Sequence, residues 1–275
     1  MSFIELHGVA KHYGPSAVLS GVNLSLDQGE FVSIVGTSAS GKTTLLKVAS
    51  GLIRPDEGSV RIGGRAVDGF PCGAAIVFQN YSLLPWLSSL ENVQLAVESV
   101  FPEWSKARRR LQAVRYLELV GLGAALTKRP SQLSGGMRQR VAIARAFAVE
   151  PRILFLDEPF GALDALTRAT LQQELARLCQ AQQPRATALM ITNSVDEAIL
   201  LSDRILALGR GPRASLSASV PVTLARPRPS DLMMHDEEAV RARTRVGEFL
   251  AAGRGSGAGN RHAATVHASA VPAEV

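Results

Sequence analysis

Eight consecutive residues, Gly36 to Thr43, form the clearest chemical pattern in this sequence, GTSASGKT. The pattern fits G-x-x-x-x-G-K-[ST], whose glycines let backbone N–H groups wrap a phosphate while the following helix adds a favourable dipole. Lys42 is placed to reach the β- and γ-phosphates of a nucleotide, and the Thr43 hydroxyl to ligate Mg²⁺. A plain Gly-rich turn is disfavoured, because average residue usage gives such a match in only about 1% of chains of this length. The residues expected to hold the phosphates are Gly36, Thr37, Ser38, Ala39, Ser40, Gly41, Lys42, Thr43 and Thr44.

Two acids form a second pattern at the end of the apolar run Ile153 to Leu156. In an open parallel sheet, ligands bind at the carboxyl ends of the strands. Asp157 is suited to hold Mg²⁺ through water, and Glu158 to polarise an attacking water as a general base or by positioning it. After a phosphate loop, this pair predicts hydrolysis of the bound nucleotide.

A third pattern, LSGGMRQR, opens a helix with Ser134, Gly135 and Gly136, which we call the signature, and predicts a second anion-binding helix terminus. With this pattern the sequence resembles the ATPase subunits of ABC transporters, from residue 1 to about residue 250. The resemblance implies ATP as the nucleotide and Mg²⁺ as its metal ion. It also implies a second ATPase subunit, paired head to tail, so that ATP lies between the phosphate loop of one subunit and the signature of the other.

The resemblance assigns roles to four further residues. Tyr13 resembles the aromatic residue that stacks on adenine, although on its own it reads as a core or strand residue. Gln79 resembles the glutamine that senses Mg²⁺ and the γ-phosphate, and so joins Thr43 and Asp157 as a metal-site residue. Asp164 resembles the aspartate that couples the two sites across the dimer. Asn193 stands where the family has a histidine that contacts the γ-phosphate and the attacking water.

Asn193 leaves two functional classes open. Asparagine donates a hydrogen bond to a phosphate oxygen, but it cannot become a cation or relay a proton. Losing one charge-stabilising contact in a transition state costs on the order of 2–4 kcal/mol, or roughly 30- to 1000-fold in rate. The chain is either a hydrolysing transport motor that relies on Glu158, or a slow ATP-binding clamp in a heterodimer. A DNA-repair or translation ATPase, and hence a nucleic-acid partner, is disfavoured because the chain has neither long coiled-coil insertions nor two cassettes.

An unusually apolar loop, Leu83 to Leu87, resembles the groove that receives a coupling helix of the membrane permease, with an ordinary hydrophobic anchor as the alternative. The segments LLPWLSSLENVQLAV, FGALDALTR and VDEAILLSDRI resemble the importer branch for nitrate, nitrite, cyanate, taurine or aliphatic sulfonates. The C-terminal stretch is more like the nitrate-type members. We therefore expect import of a nitrate-like anion, with taurine or sulfonates as the alternative solute and a solute-binding protein as an indirect partner.

The elements that must position these residues follow from hydrophobic periodicity. Strands and helices alternate after residue 151, which predicts a parallel sheet covered by helices. The first seventy residues read mostly as strands and turns, and residues from about 85 to 150 read as helices. The expected fold is an α/β P-loop ABC ATPase core with an antiparallel β subdomain and an inserted helical subdomain. Residues 1–250 form the ATPase domain in this interpretation, and residues 251–275, rich in Gly, Ala and Ser, a disordered tail.

The bulk composition is compatible with this interpretation. The 275 residues carry a formal net charge of +6, which permits anionic partners without choosing among them. The basic stretch Arg226 to Arg245 reads as solvated helix faces. Two cysteines lie far apart and suggest no disulfide framework. No apolar run approaches the ~18 residues that span a bilayer, so we expect the chain by itself to be soluble and cytoplasmic. The family resemblance implies a peripheral position on the cytoplasmic face of the inner membrane.

Overall fold

The structure is a computed structural model that describes residues 2–161, 163–181, 184–209, 213–228 and 235–252. Its strands are β1 (Ser2–Tyr13), β2 (Ser16–Asp27), β3 (Phe31–Val35), β4 (Glu57–Ile62), β5 (Arg65–Ala66), β6 (Ala74–Val77), β7 (Ile153–Asp157), β8 (Thr187–Thr192), β9 (Arg204–Ala207) and β10 (Val220–Pro221). Its α-helices are α1 (Lys42–Ala49), α2 (Ser89–Val100), α3 (Lys106–Leu119), α4 (Gly135–Phe147), α5 (Ala165–Ala181), α6 (Val195–Leu201) and α7 (Glu237–Ala252).

An antiparallel sheet is built from the first strands, in the order β2-β1-β4-β5. Along β2 the side chains of Val22, Leu24 and Leu26 are buried while the residues between them are exposed. This period of two is that of a sheet with one face on a core and one face in water. The predicted antiparallel β subdomain is therefore present.

The second sheet has the order β10-β9-β3-β8-β7-β6, and all its strands except the edge strand β10 run parallel. Every residue of β3, β7 and β8 is buried, because helices cover both faces of a parallel sheet and its strands are apolar on both sides. The predicted α/β fold class is confirmed. The sheet order places β8 between β3 and β7, so the carboxyl ends of β3, β8, β7 and β6 lie side by side.

Helices α2, α3 and α4 fill the region between β6 and β7. Helix α2 begins with a capping box, in which Ser88 accepts from the N–H of Glu91 and Glu91 accepts from the N–H of Ser88. The apolar faces of the three helices join one buried cluster with β6 and β7. The structure thus has helices where the sequence predicts a helical subdomain, while the division into domains stays a prediction.

Three sequence expectations differ in detail from the structure. Strand β6 ends at Val77, two residues before the expected end at Gln79, and helix α4 ends at Phe147 rather than running to Pro151. The expectation of solvated faces is wrong for Arg228, which is only 8% exposed and donates to the carbonyls of Leu224, Ile199, Ser202 and Val222.

Two further expectations concern the chain end and the membrane. Helix α7 continues to Ala252, so it enters the predicted tail by two residues, and residues 253–275 lie outside the described residues. Within the described ranges, no helix combines the length and the apolar character needed to cross a bilayer.

Candidate functional site

The phosphate loop leaves the buried strand β3 and turns sharply into α1. Gly41 takes φ +95°, and a Cβ there would lie 2.9 Å from Val18 Cγ1, so both the backbone conformation and the space favour glycine. At the base of the loop the N–H of Gly36 donates to Thr192 O at 3.4 Å, and the N–H of Ser40 donates to Thr37 O at 3.2 Å. These bonds fix the loop between β3 and β8.

The N-terminus of α1 has the character of an anion site. No side chain caps the helix and no acid lies in its first turn, so its first N–H groups remain available to a ligand. Ser40 Oγ is buried and has no hydrogen-bond partner within the described chain. A phosphate group fits this loop because it supplies the acceptors that these donors lack.

Lys42 is the buried cation of the site, with a side chain only 3% exposed. Its Nζ donates to Thr37 O at 3.0 Å and to Asn193 Oδ1 at 2.8 Å, and it lies 3.4 Å from Glu158 Oε1. Burial lowers the pKa of Lys42, and the nearby carboxylates of Glu158 and Asp157 raise it. The lysine therefore compensates the acid pair, and Asn193 presents its carbonyl oxygen to it.

Asp157 and Thr43 form the candidate Mg²⁺ site. The Thr43 hydroxyl donates to Asp157 Oδ1 at 3.1 Å, and Asp157 is 5% exposed. Burial is the main cause that raises the pKa of Asp157, while the hydrogen bond from Thr43 lowers it. The described residues contain no cluster of three His, Cys, Asp or Glu side chains that would hold a metal ion. A hydroxyl and a carboxylate suit Mg²⁺, which keeps waters and takes phosphate oxygens as further ligands.

Glu158 follows β7 in a strained backbone conformation, with φ +43° for a non-glycine residue. Its N–H donates to Ile191 O at 3.0 Å, and its carbonyl accepts from the N–H of Gly161 at 3.1 Å. These bonds hold the residue where its carboxylate accepts from Gln79 Nε2 at 3.3 Å. A left-handed non-glycine residue costs on the order of 1 kcal/mol and persists where the surroundings determine it, as they do here.

One cavity of about 380 Å³ gathers nine of the residues that the sequence predicts for the ATP site. It is lined by Tyr13, Val18, Ser38, Ala39, Gly41, Lys42, Thr43, Thr44, Gln79 and Glu158. Tyr13 reaches it from the antiparallel sheet, is 51% exposed, and has Lys11 Nζ 6.0 Å from its ring centroid. An exposed ring at the mouth of a phosphate cavity is suited to stack on a base. A larger cavity of about 560 Å³ beside α7 contains none of these residues.

The signature and Asp164 do not line this cavity. Ser134 caps α4 by accepting from the N–H of Met137 at 3.3 Å. Gly135 follows it at the start of the helix, and a Cβ on Gly136 would lie 2.4 Å from Thr167 Cγ2. Asp164 accepts from the N–H of Thr167 at 3.0 Å, which lowers the pKa of Asp164. The signature and Asp164 thus belong to one surface, apart from the phosphate loop.

Sequence reasoning missed a partly buried arginine that shapes the segment after Gln79. Arg145, in α4, donates to Ser82 O at 2.6 Å and to Tyr81 O at 2.9 Å, and burial lowers its pKa. Tyr81 and Ser82 both have positive φ, 64° and 46°. The available signal was an arginine within the apolar helical run VAIARAF. This contact ties the Gln79 segment to the helix that begins with the signature.

A second missed residue, Asn92, fixes the apolar loop Leu83 to Leu87. Asn92 is 2% exposed, accepts from the N–H of Leu84 at 2.8 Å, and donates to the carbonyls of Leu84, Leu87 and Ser88. The loop therefore has a defined conformation, with Trp86 64% exposed. A rigid loop that displays a large apolar side chain is suited to bind a partner.

Comparisons with known proteins agree with this geometry. The family described as ABC transporter matches residues 19–161, a range that includes the phosphate loop, Gln79, the signature and the acid pair. The bicarbonate transport ATP-binding protein CmpD of Synechocystis sp. is 43% identical over 253 residues, which cover 90% of this chain and 89% of that protein. The nitrate import ATP-binding protein NrtD of Synechococcus elongatus is 44% identical over 237 residues, 86% of each chain. The dimeric ATP-binding cassette MJ0796, solved in a post-hydrolysis state bound to ADP and Pi, aligns with a TM-score of 0.71 at 32% identity, covering 81% of this chain and 100% of that one.

Proposed function

The chain belongs to the ABC transporter family as one of its ATP-binding cassettes, and we propose that it is the ATPase subunit of an importer for a small inorganic anion, bicarbonate or nitrate. The observation that carries the hydrolytic part is the meeting of Lys42, Glu158 and Gln79 at one cavity. A lysine that cradles the phosphates and a residue that orients the attacking water are two recurring parts of sites that hydrolyse nucleoside triphosphates.

Each residue of the site has its own role in ATP hydrolysis in this proposal. The N–H groups of the phosphate loop and Lys42 hold the triphosphate, which replaces Asn193 and Glu158 as the partner of the ammonium group. Thr43 and Asp157 would hold Mg²⁺, which neutralises phosphate charge when bound. Glu158, released from Lys42, accepts a hydrogen bond from the attacking water or takes its proton. Gln79, bonded to Glu158 at 3.3 Å, keeps that carboxylate in place.

A second cassette is required by this proposal. The signature and Asp164 lie outside the cavity of their own chain, so a signature that contacts the bound ATP must come from another subunit. MJ0796 forms a dimer in the solved structure, which supports this arrangement. The further partners that we propose are a membrane permease, bound through the loop Leu83 to Leu87, and a solute-binding protein that acts on the permease. The cassette would then lie at the cytoplasmic face of the membrane.

The solute is proposed from the relatives, since it does not touch the ATPase subunit in this scheme. CmpD and NrtD are named for bicarbonate and nitrate, which are both small planar anions of single charge. The test is ATP-driven uptake of labelled bicarbonate, nitrate and taurine into proteoliposomes that contain the cassette, its permease and its solute-binding protein. We expect uptake of bicarbonate or nitrate, and uptake of taurine alone would overturn the assignment.

The permease contact gives a first prediction. We expect Trp86→Asp to lower both permease pull-down and ATP-driven uptake at least about tenfold, because exposed tryptophans dominate the interfaces that they enter. ATP binding by the isolated chain is expected to stay unchanged. Val240→Asp is the matched control, because Val240 is also an exposed apolar residue, at 43%, but lies on α7. Undiminished pull-down by Trp86→Asp would place the permease contact elsewhere.

Asn193 is the basis of a second candidate function. In it, this chain hydrolyses ATP slowly at its own site and contributes its signature to the ATP site of a faster partner subunit. In the structure, the carbonyl oxygen of Asn193 accepts a hydrogen bond from Lys42 Nζ at 2.8 Å. A carbonyl oxygen that faces Lys42 cannot stabilise phosphate. The amide must therefore turn to present its N–H₂ group to the γ-phosphate.

Restoring histidine at position 193 tests these readings. We expect Asn193→His to raise kcat at least several-fold with little change in ATP affinity, because a protonated imidazole stabilises charge that develops in the transition state. Steady-state ATPase rates of the lone chain and the assembled complex are the measurement. A rise confined to self-paired cassettes would support the heterodimer reading. No rise in either setting would show that Asn193 is not the limiting residue.

A further inference from the structure

A buried carboxylate, that of Glu197, is bonded to the turn that presents Asn193. Glu197 is 6% exposed and Thr192, the residue before Asn193, is 2% exposed. The Thr192 hydroxyl donates to Glu197 Oε2 at 2.5 Å and accepts from the N–H of Ser194 at 3.0 Å. Ser194 also caps α6 by accepting from the N–H of Glu197 at 3.3 Å. Asn193 is therefore flanked by two residues whose side chains are held by Glu197.

The other oxygen of the same carboxylate faces α5. Glu197 Oε1 accepts from Gln172 Nε2 at 3.3 Å and lies 3.9 Å from Arg168 Nε. Arg168 Nη2 donates to the carbonyl of Leu163 at 2.9 Å, one residue before Asp164. One carboxylate thus connects the Asn193 turn to the segment that contains Asp164.

Glu197 is hydrogen-bonded to Thr192, on the side of the Asn193 turn, but not to Arg168, on the side of Asp164. The 3.9 Å separation exceeds hydrogen-bond distance, and Arg168 Nε is buried without a partner among the described residues. Burial raises the pKa of Glu197, and the hydrogen bond from Thr192 lowers it. The bond to Thr192 is formed, while a short displacement of Arg168 would form the second bond and satisfy its free N–H group.

We propose that Glu197 and Arg168 are positioning residues that link the placement of Asn193 to the placement of Leu163 and Asp164. Contact of a second cassette with Asp164 would then set the turnover at this chain's own site. The reason is that Glu197 is hydrogen-bonded to Thr192 and lies, with opposite charge, 3.9 Å from Arg168, so that a displacement of either group changes the energy of the other. This inference rests on the proposed function, because it requires a second cassette at Asp164. Neither Glu197 nor Arg168 lines the nucleotide cavity, so neither acts on ATP directly.

The test measures kcat and KM for ATP in the assembled transporter for Glu197→Gln, Arg168→Gln and the double variant. Glutamine keeps the volume of Glu197 and an acceptor for Thr192, but removes the charge that faces Arg168. We expect kcat to fall about tenfold in each single variant, with KM changed less than about twofold. The double variant should be no slower than the slower single variant, because both changes break one connection.

Asp196→Asn is the matched control. It removes a carboxylate from the neighbouring position of α6, but Asp196 is 66% exposed and pairs with Arg243 at 2.8 Å instead of joining the connection. We expect its kcat to equal that of the wild type. A kcat for Glu197→Gln equal to the control, a rise in KM without a fall in kcat, or additive losses in the double variant would overturn the proposal.

Thr192→Ser and Thr192→Val keep the proposal testable if Glu197→Gln fails to fold. Serine retains the hydroxyl that donates to Glu197 and valine removes it, so only Thr192→Val is expected to be slow. Equal rates in these two variants would overturn the proposal. Absence of ATP turnover in the wild-type complex would instead contradict the proposed function itself, and with it this inference.

Discussion

ATP turnover is expected to fall at least about 100-fold when Glu158 is replaced by glutamine, while ATP binding persists. Glutamine keeps the length of the side chain and an oxygen for Lys42, but it cannot take a proton from water. The loss therefore falls on kcat, with the dissociation constant of ATP changed by less than about threefold. Single-turnover hydrolysis and equilibrium binding of labelled ATP separate the two effects. The ATP-bound dimer should also persist longer than that of the wild type.

Glu237→Gln provides the control for this change. Glu237 is a carboxylate with an 85% exposed side chain that pairs with Arg241, four residues later on α7. Its loss should leave kcat unchanged, since exposed pairs of this kind contribute little. If the kcat of Glu158→Gln lies within about threefold of the wild-type value, Glu158 neither positions nor deprotonates the attacking water. A wild type as slow as Glu158→Gln would favour the clamp reading.

Lys42→Ala should weaken ATP binding roughly 10- to 150-fold, because a charge-assisted hydrogen bond contributes about 1.5–3 kcal/mol. The structure adds a second reason. Lys42 compensates Asp157 and Glu158, so its removal leaves two neighbouring carboxylates facing an incoming triphosphate. Both effects weaken the binding of ATP in the ground state. Turnover should therefore fall below detection at ATP concentrations that saturate the wild type. Equilibrium titration with a fluorescent ATP analogue measures the affinity.

Lys128→Ala removes the same charge from an exposed position in the helical region. It should bind ATP as the wild type does, which excludes a general effect of net charge on nucleotide affinity. Equal affinity and equal turnover in Lys42→Ala and the wild type would refute the phosphate-loop assignment.

The phosphate loop and the acid pair were predictable because each is a local feature of a strand and the turn after it. The apolar residues before Gly36 and Asp157 fix the direction of each strand, and ligand sites lie at the carboxyl ends of parallel strands. The order of the strands is not local. Only the structure shows that β8 lies between β3 and β7, and this order explains why Asn193 reaches Lys42.

Arginines that bond to backbone carbonyls inside the fold are the features that the sequence predicted least well. Arg145 bonds to carbonyls 63 and 64 residues earlier in the chain, and Arg228 to carbonyls of two separate segments, 199–202 and 222–224. A charged residue in a helical or coil pattern is read as solvated, because nothing near it in sequence shows which carbonyls will surround it. The same limit applies to Glu197, whose partners Thr192, Gln172 and Arg168 belong to β8 and α5.

The left-handed backbone of Glu158 has a consequence for how this chain evolves. Glycine would occupy φ +43° at lower backbone cost than glutamate, so the conformation at this position opposes the carboxylate, while the ion pair with buried Lys42 favours it. The advantage of ATP turnover and the pairing with Lys42 together have to outweigh a conformational cost on the order of 1 kcal/mol for glutamate to persist at residue 158.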